Sequence, residues 1–219
     1  MKRREFSLAA SAAATGALTL GANASWAQAA APQEGKDYVR LAKPATTTAP
    51  AGKVEVVEFF WYSCPHCNVF EPTFAAWKKQ AAADVVVSRV PVAFNPSFVP
   101  QQKLYYALDG LKLLDTIHPK VFHAVHAERI NLSKEDQIFD WMAKQPGVDM
   151  AKFKEMYNSF GVANQVKKAT QLQQEYDVEG VPAMGVAGLF YTDGGKAGSM
   201  PNVLRAVDYL ITTQRGKKS

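Results

Sequence analysis

The chain is poor in cysteine, with two in 219 residues, and poor in histidine, with four. Two thiolates are half of what a structural zinc site needs. His118, His123 and His126 read as exposed helical residues with no carboxylate-rich segment to complete another ligand set. Neither a metal nor a cofactor is therefore expected. Long apolar runs are also missing, because the Ala/Leu-rich span Ser7 to Ala24 is short and interrupted by Thr15, Gly16, Thr19 and Gly21. No basic helix is interleaved with aromatics, so the net charge of +5 does not point to nucleic acid. Lys2, Arg3 and Arg4 against Glu5 supply +2 of that charge, and Arg215, Lys217 and Lys218 hold much of the rest. Gly194-Gly195 lacks the Lys-Ser/Thr of a phosphate loop and reads as a turn. There is no internal repeat.

What is present begins with the pattern of an export signal over residues 1–27: basic Lys2-Arg3-Arg4, the Ala/Leu-rich span, and small-x-small at Ser25-Trp26-Ala27, with cleavage expected after Ala27. Arg3-Arg4-Glu5-Phe6 also resembles a twin-arginine signal, and either route leads out of the cytoplasm. No cysteine lies in this segment, which excludes lipid attachment of the lipoprotein kind.

The two cysteines stand together as Cys64-Pro65-His66-Cys67. Ahead of them Val54 to Tyr62 is a β-branched and aromatic run that reads as a buried strand, and a helix is expected from Cys64 onward. Pro65 suits the first helical turn, where its missing N–H costs nothing. In an oxidising compartment two cysteines suggest a structural bridge, but a loop of four residues removes little unfolded-state entropy and is a weak staple. A thiol at a helix N-terminus, by contrast, is a reactive one. Unpaired N–H groups and the helix dipole favour a thiolate at Cys64, with His66 within reach to tune it. A stabilised thiolate makes the disulfide an oxidant and Cys64 a good leaving group. Glu58 is the one acid in Val-Val-Glu-Phe-Phe-Trp, and a carboxylate in a central strand needs a partner or a function. Three readings are open for it: a proton carrier beneath Cys67, paired with Arg89 on the next strand, a purely structural ion pair, or exposure at the strand end.

The order of elements is strand, helix, strand, a block of helices, strand, strand, helix. Val85 to Val92 is the second strand, joined to the first by a right-handed parallel crossover. In the intervening helix, Val69, Thr73 and Trp77 on one line and Phe70 and Phe74 on the next are expected to face inward. Helices are expected over Gln101–Thr116, Pro119–Arg129, Ser133–Lys144 with a capping box Ser133-x-x-Asp136, Asp149–Phe160 and Val162–Tyr176. Strands resume at Ala183–Ala187 and Leu189–Thr192 around a turn at Gly188, and a last helix runs Pro201–Thr213 with Val203, Ala206, Val207 and Leu210 on one face. The Val181-Pro182 bond reads as trans on local preference alone. The fold class is α/β, a domain split by a helical insertion.

The run Val56-Val57-Glu58-Phe59-Phe60 before Cys64-Pro65-His66-Cys67, with Gly180-Val181-Pro182-Ala183-Met184 far downstream, closely resembles the DsbA family of periplasmic disulfide oxidases. That resemblance spans essentially the whole mature chain. It implies a thioredoxin-like domain over residues 28–97 plus 177–219, interrupted by an all-helical domain over residues 98–176. It implies that Cys64 is the nucleophile and Cys67 the buried resolving thiol, with Pro65, His66 and Glu58 tuning them and Arg89 the basic neighbour of Glu58. It also implies a cis Pro182 beside the disulfide, against the trans reading, and a Val181 backbone that pairs with substrate peptide. The activity implied is a periplasmic thiol:disulfide oxidase, monomeric, acting on reduced exported proteins and reoxidised by a quinone-linked inner-membrane protein similar to DsbB. An isomerase or reductase is the second reading, against which the short linker before the first strand leaves no room for a dimerisation domain. A peptide-binding module with an inert bridge is the third.

Overall fold

The computed structural model describes residues 30–215, so the export signal expected over residues 1–27 lies outside the described residues. Among the described residues no helix is long and apolar enough to cross a membrane. Five strands, β1 (Val39–Arg40), β2 (Val54–Phe60), β3 (Val85–Pro91), β4 (Ala183–Val186) and β5 (Phe190–Asp193), form one sheet in the order β1-β5-β4-β2-β3. β2 is buried along its whole length, as expected of an apolar strand covered on both faces. It pairs in parallel with β3 and antiparallel with β4. β4 and β5 turn at Ala187 and Gly188, both at positive φ (55° and 67°), the pair of left-handed residues a tight hairpin turn requires.

Two consequences of register position the site. Glu58 of β2 lies beside Arg89 of β3. Because β4 runs against β2, with Ala183 opposite Phe59, the residues entering β4 sit at the end of the sheet where β2 runs out toward Cys64.

Helix α1 (Pro65–Gln80) follows β2. It buries Cys67, Phe70, Glu71 and Phe74, a single stripe at helical spacing. The expected second stripe is not buried: Val69 is 76% exposed, Thr73 is exposed and Trp77 only half-buried. One helix face meets the sheet, and the line through Val69 and Thr73 falls outside it.

Between β3 and β4 lie α2 (Val99–Gly110), α3 (Leu114–His126), α4 (Glu135–Met142), α5 (Met150–Tyr157) and α6 (Phe160–Glu175). The single helix expected over Gln101–Thr116 is in fact two, because the chain breaks at Lys112, which is left-handed at φ 59°. Pro119, expected to start a helix, lies inside α3. The cap of α4 is Lys134, whose N–H donates to the Gln137 Oε1 at 3.2 Å, so the Ser133-x-x-Asp136 box is displaced by one residue. Asp149 and Ser159 cap α5 and α6 with side-chain oxygens, which divides the stretch expected as Asp149–Phe160. Gly194-Gly195, expected as a turn, opens a single helical turn, α7 (Gly194–Ala197). The last helix, α8 (Met200–Gln214), buries Val203, Ala206, Val207 and Leu210 as expected.

The apolar core of the helical block, with Leu104, Leu108, Val121, Ile138 and Phe153, is continuous with Phe60, Tyr62, Cys64 and Cys67. The thiols therefore sit where the end of β2 meets the helices.

Candidate active site

Cys64 is the N-cap of α1 and Pro65 its first residue. The backbone of Cys64 is extended (φ −81°, ψ 118°), so its Sγ turns back and accepts the Cys67 N–H at 3.4 Å. This is the position at which Ser, Thr or Asp normally satisfies the orphan donors of a helix; here a thiol does so. The Cys64 thiol is pulled down to about 6, first by the hydrogen bond from the Cys67 side chain, then by the backbone N–H groups of Cys67 and His66 and an electrostatic contribution from His66, against an opposing effect of burial. Cys67 goes the opposite way. Burial raises its thiol far above the ordinary range, and the hydrogen bond and charge at Cys64, with a smaller contribution from Glu58, raise it further. Both cysteines are free thiols. Cys64 is 8% exposed and Cys67 1%, which leaves Cys64 as the one that an incoming sulfur can reach.

Across from Cys64 stands the Val181 carbonyl, 3.4 Å from Sγ and placed to accept from the thiol. The Val181-Pro182 peptide bond is cis, as the family resemblance implies; this corrects the trans reading from local preference, which is a small one for a prolyl bond.

Beneath the thiols lies a buried charge cluster. Glu58 is 1% exposed, and its Oε2 accepts from Arg89 Nε at 2.8 Å, the pairing expected from the sequence. Burial raises the Glu58 carboxyl to about 7, with the Glu71 charge adding to the rise and Arg89 opposing it. Arg89 has a second partner, which sequence reasoning missed: its Nη2 donates to both carboxylate oxygens of Glu71, at 2.7 and 2.8 Å. The guanidinium also lies 5.1 Å above the Phe74 ring.

His118, read from sequence as exposed, is 1% exposed. Its Nδ1 lies 2.7 Å from the Tyr62 hydroxyl, and its Nε2 lies 3.4 Å from Glu71 Oε2. Burial lowers its pKa, so the ring is neutral at pH 7. His126 also points inward, with Nε2 2.8 Å from the Tyr62 carbonyl, whereas His123 is exposed beside Glu128. A signal for Glu71 exists in the sequence, since it stands four residues after Cys67 and next to Phe70 on the apolar stripe. None exists for His118, which comes from a helix 47 positions further on.

The chain matches the model of the DSBA-like thioredoxin domain over residues 88–203, a stretch that begins after the cysteine pair. It is 43% identical over 216 residues to the thiol:disulfide interchange protein DsbA of Bordetella pertussis, covering 98% of this chain and 100% of that one. It is 41% identical over 203 residues to the protein of the same name from Burkholderia cepacia, covering 92% of this chain and 95% of that one. The crystal structure of Pseudomonas aeruginosa DsbA superposes with a TM-score of 0.78 at 40% identity, covering 84% of this chain and 95% of that one. With helices inserted between β3 and β4 and two thiols at the head of α1, the chain belongs to the DSBA-like thioredoxin domain family.

Proposed function

We propose that the chain is a thiol:disulfide oxidase that donates a Cys64–Cys67 disulfide to exported proteins. The observation that carries this reading is the opposite perturbation of two thiols three residues apart, Cys64 down to about 6 and Cys67 up by burial. A substrate thiolate attacks Cys64 Sγ, the S–S bond breaks, and Cys67 leaves as a thiolate. Burial makes that thiolate basic, and Glu58, with a carboxyl near pH 7, is suited to return a proton to it. A second substrate thiolate then attacks the substrate sulfur of the mixed disulfide and expels Cys64, stable as a thiolate at neutral pH. The substrate dithiol is oxidised and the enzyme disulfide reduced, two electrons in all.

In this reading Cys64 and Cys67 are catalytic, Pro65 and His66 shape the head of the helix, and Glu58 carries the proton. The Val181 backbone, beside Pro182, pairs with extended substrate peptide. Residues 28–97 plus 177–219 act as the redox domain and residues 98–176 as a helical cover. The enzyme works as a periplasmic monomer, reoxidised by an inner-membrane quinone-linked partner similar to DsbB.

Equilibration in glutathione buffers, with Cys64 alkylation followed against pH, tests the assignment. An acidic Cys64 with an oxidising potential is expected. A potential near that of thioredoxin would assign a reductase instead, and an unreactive bridge a binding module.

A further inference from the structure

The buried cluster under the thiols holds one donor with nothing adequate to bind. His118 Nε2 makes no hydrogen bond of good geometry; the one acceptor that faces it, Glu71 Oε2 at 3.4 Å, is near enough to act upward on the pKa of the ring but too poorly aligned to satisfy the donor. A buried donor without a well-made hydrogen bond is costly and calls for a reason. The ring is well held. Phe60, Tyr105 and Phe122 meet it edge-on at 5.3 to 5.8 Å, and the Tyr62 hydroxyl reaches Nδ1. When that hydroxyl donates to Nδ1, the neutral ring carries its proton on Nε2, facing Glu71.

Arg89 is shared at the same place. One Nη serves both oxygens of Glu71 while Nε serves Glu58, so two carboxylates on different elements share one guanidinium through separate N–H groups. While Glu58 is protonated, the cluster of Glu58, Glu71 and Arg89 is neutral. Transfer of that proton to Cys67 Sγ breaks the Glu58 O–H bond, forms an S–H bond and leaves a second buried negative charge beside Arg89.

We propose that His118 is a positioning residue that serves as a standby donor: as Arg89 turns toward the newly charged Glu58, the His118 Nε2–H closes on Glu71. The helical block thereby supports the proton store beneath the thiols. This rests on the assignment of Glu58 as the acid that protonates Cys67. The charged and titratable groups around His118 are Glu71 and Lys78 from α1, Arg89 from β3, Glu58 from β2, Tyr105 from α2 and Tyr62 from the segment before α1. Of these, Glu71 alone lies within 4 Å of Nε2 as an acceptor.

The test is the titration of the Glu58 side-chain carboxyl, followed by carbon NMR in the full chain with both thiols reduced. In His118→Phe the midpoint should rise by about half a pH unit, a threefold gain in proton affinity, because charged Glu58 loses support. His118→Gln, whose amide N–H replaces the donor, should restore the original midpoint. Adding Glu71→Gln should abolish the effect of His118→Phe, since no Glu71 charge then shares Arg89. His118→Leu, a smaller apolar side chain that also lacks the donor, should raise the midpoint in the same direction and serves if His118→Phe does not fold. An unchanged midpoint in the folded variant, or an effect of His118→Phe that survives Glu71→Gln, overturns the proposal. The midpoint is read without thiol exchange, so inert cysteines would sink the oxidase reading and leave this result standing.

Discussion

Cys64 and Cys67 are the same side chain three residues apart, and their surroundings pull them in opposite directions. Cys64 occupies the N-cap, where its sulfur meets the thiol and N–H of Cys67, and it gives up its proton at about 6. Cys67 lies one turn inside, 1% exposed, where burial holds its proton on. The chemistry therefore comes less from cysteine than from the two ends of one helical turn. The end that faces solvent supplies a good leaving group. The end that faces the core supplies a poor one, which needs an acid nearby.

The largest break of this asymmetry is removal of the sulfur at the N-cap. Cys64→Ser keeps a capping side chain, so the fold should persist, while disulfide transfer to a reduced peptide should fall below detection. Cys67→Ser, offered a peptide that carries a disulfide, should behave differently: the Cys64 thiolate attacks it and expels one peptide thiol, and with no Cys67 thiol to resolve it the mixed disulfide at Cys64 persists for mass spectrometry to detect. If Cys64→Ser forms that adduct and Cys67→Ser does not, the assignment of the two ends is reversed. The next effect is at the buried end. Glu58→Gln cannot return a proton to Cys67, and turnover should drop by roughly 100-fold, the low end of general acid catalysis. Turnover rate and pH profile that match the unaltered chain would make Glu58 a structural ion pair with Arg89.

A smaller effect belongs to the exposed end. His66→Ala removes a favourable electrostatic contribution and should raise the Cys64 midpoint by about one pH unit, a tenfold loss of thiolate stability. The backbone N–H groups of His66 and Cys67 remain, so the midpoint should still lie below that of an ordinary thiol. Alkylation rates against pH measure it, and a midpoint that stays at about 6 would leave the Cys67 thiol and the backbone N–H groups as its causes.

The exposed end of this comparison was legible in the sequence and the buried end only in part. A strand running into Cys-Pro-x-Cys marks a helix N-terminus because proline at N1 and a capping atom before it are local requirements. β2 and α8 were equally plain, since continuous apolar runs and a one-faced stripe need no knowledge of partners. The Glu58–Arg89 pair followed from guessing adjacent strands. Glu71 is marked only by its place beside Phe70 on the apolar stripe and His118 by nothing, because a buried histidine looks like a surface residue until tertiary packing chooses the helix face. Val69 failed in the opposite sense: an apolar residue on the right period, turned outward because α1 presents one face to the sheet. The cis bond before Pro182 runs against local preference and was legible only through the family resemblance.

The smallest effect separates the two ends by thermodynamics. Cys64 has a folded midpoint of about 6, below its unfolded value of about 8.5, so it stabilises the reduced fold fully above pH 8.5 and loses this as pH falls through 6. At pH 7 the contribution is about 1 kcal/mol once screening of a partly open sulfur is allowed for. Glu58 has the opposite sign. Raised to about 7, it stabilises below its unfolded midpoint and loses this as pH rises through 7. Glu58 is present in both oxidation states and cancels, to first order, in their difference, whereas the Cys64 thiolate exists only in the reduced one. The Tm of the reduced chain, taken relative to that of the oxidised chain, should therefore be higher at pH 7 than near pH 5 by about 2–4 °C, and higher again toward pH 8. A four-residue disulfide loop adds about 2 kcal/mol of pH-independent stability to the oxidised chain by loop closure, which offsets the whole gap between the two chains and leaves its pH dependence unchanged. A gap that does not change with pH would mean that the N-cap does not hold Cys64 as a thiolate, and the contrast between the two ends would then rest on Cys67 alone.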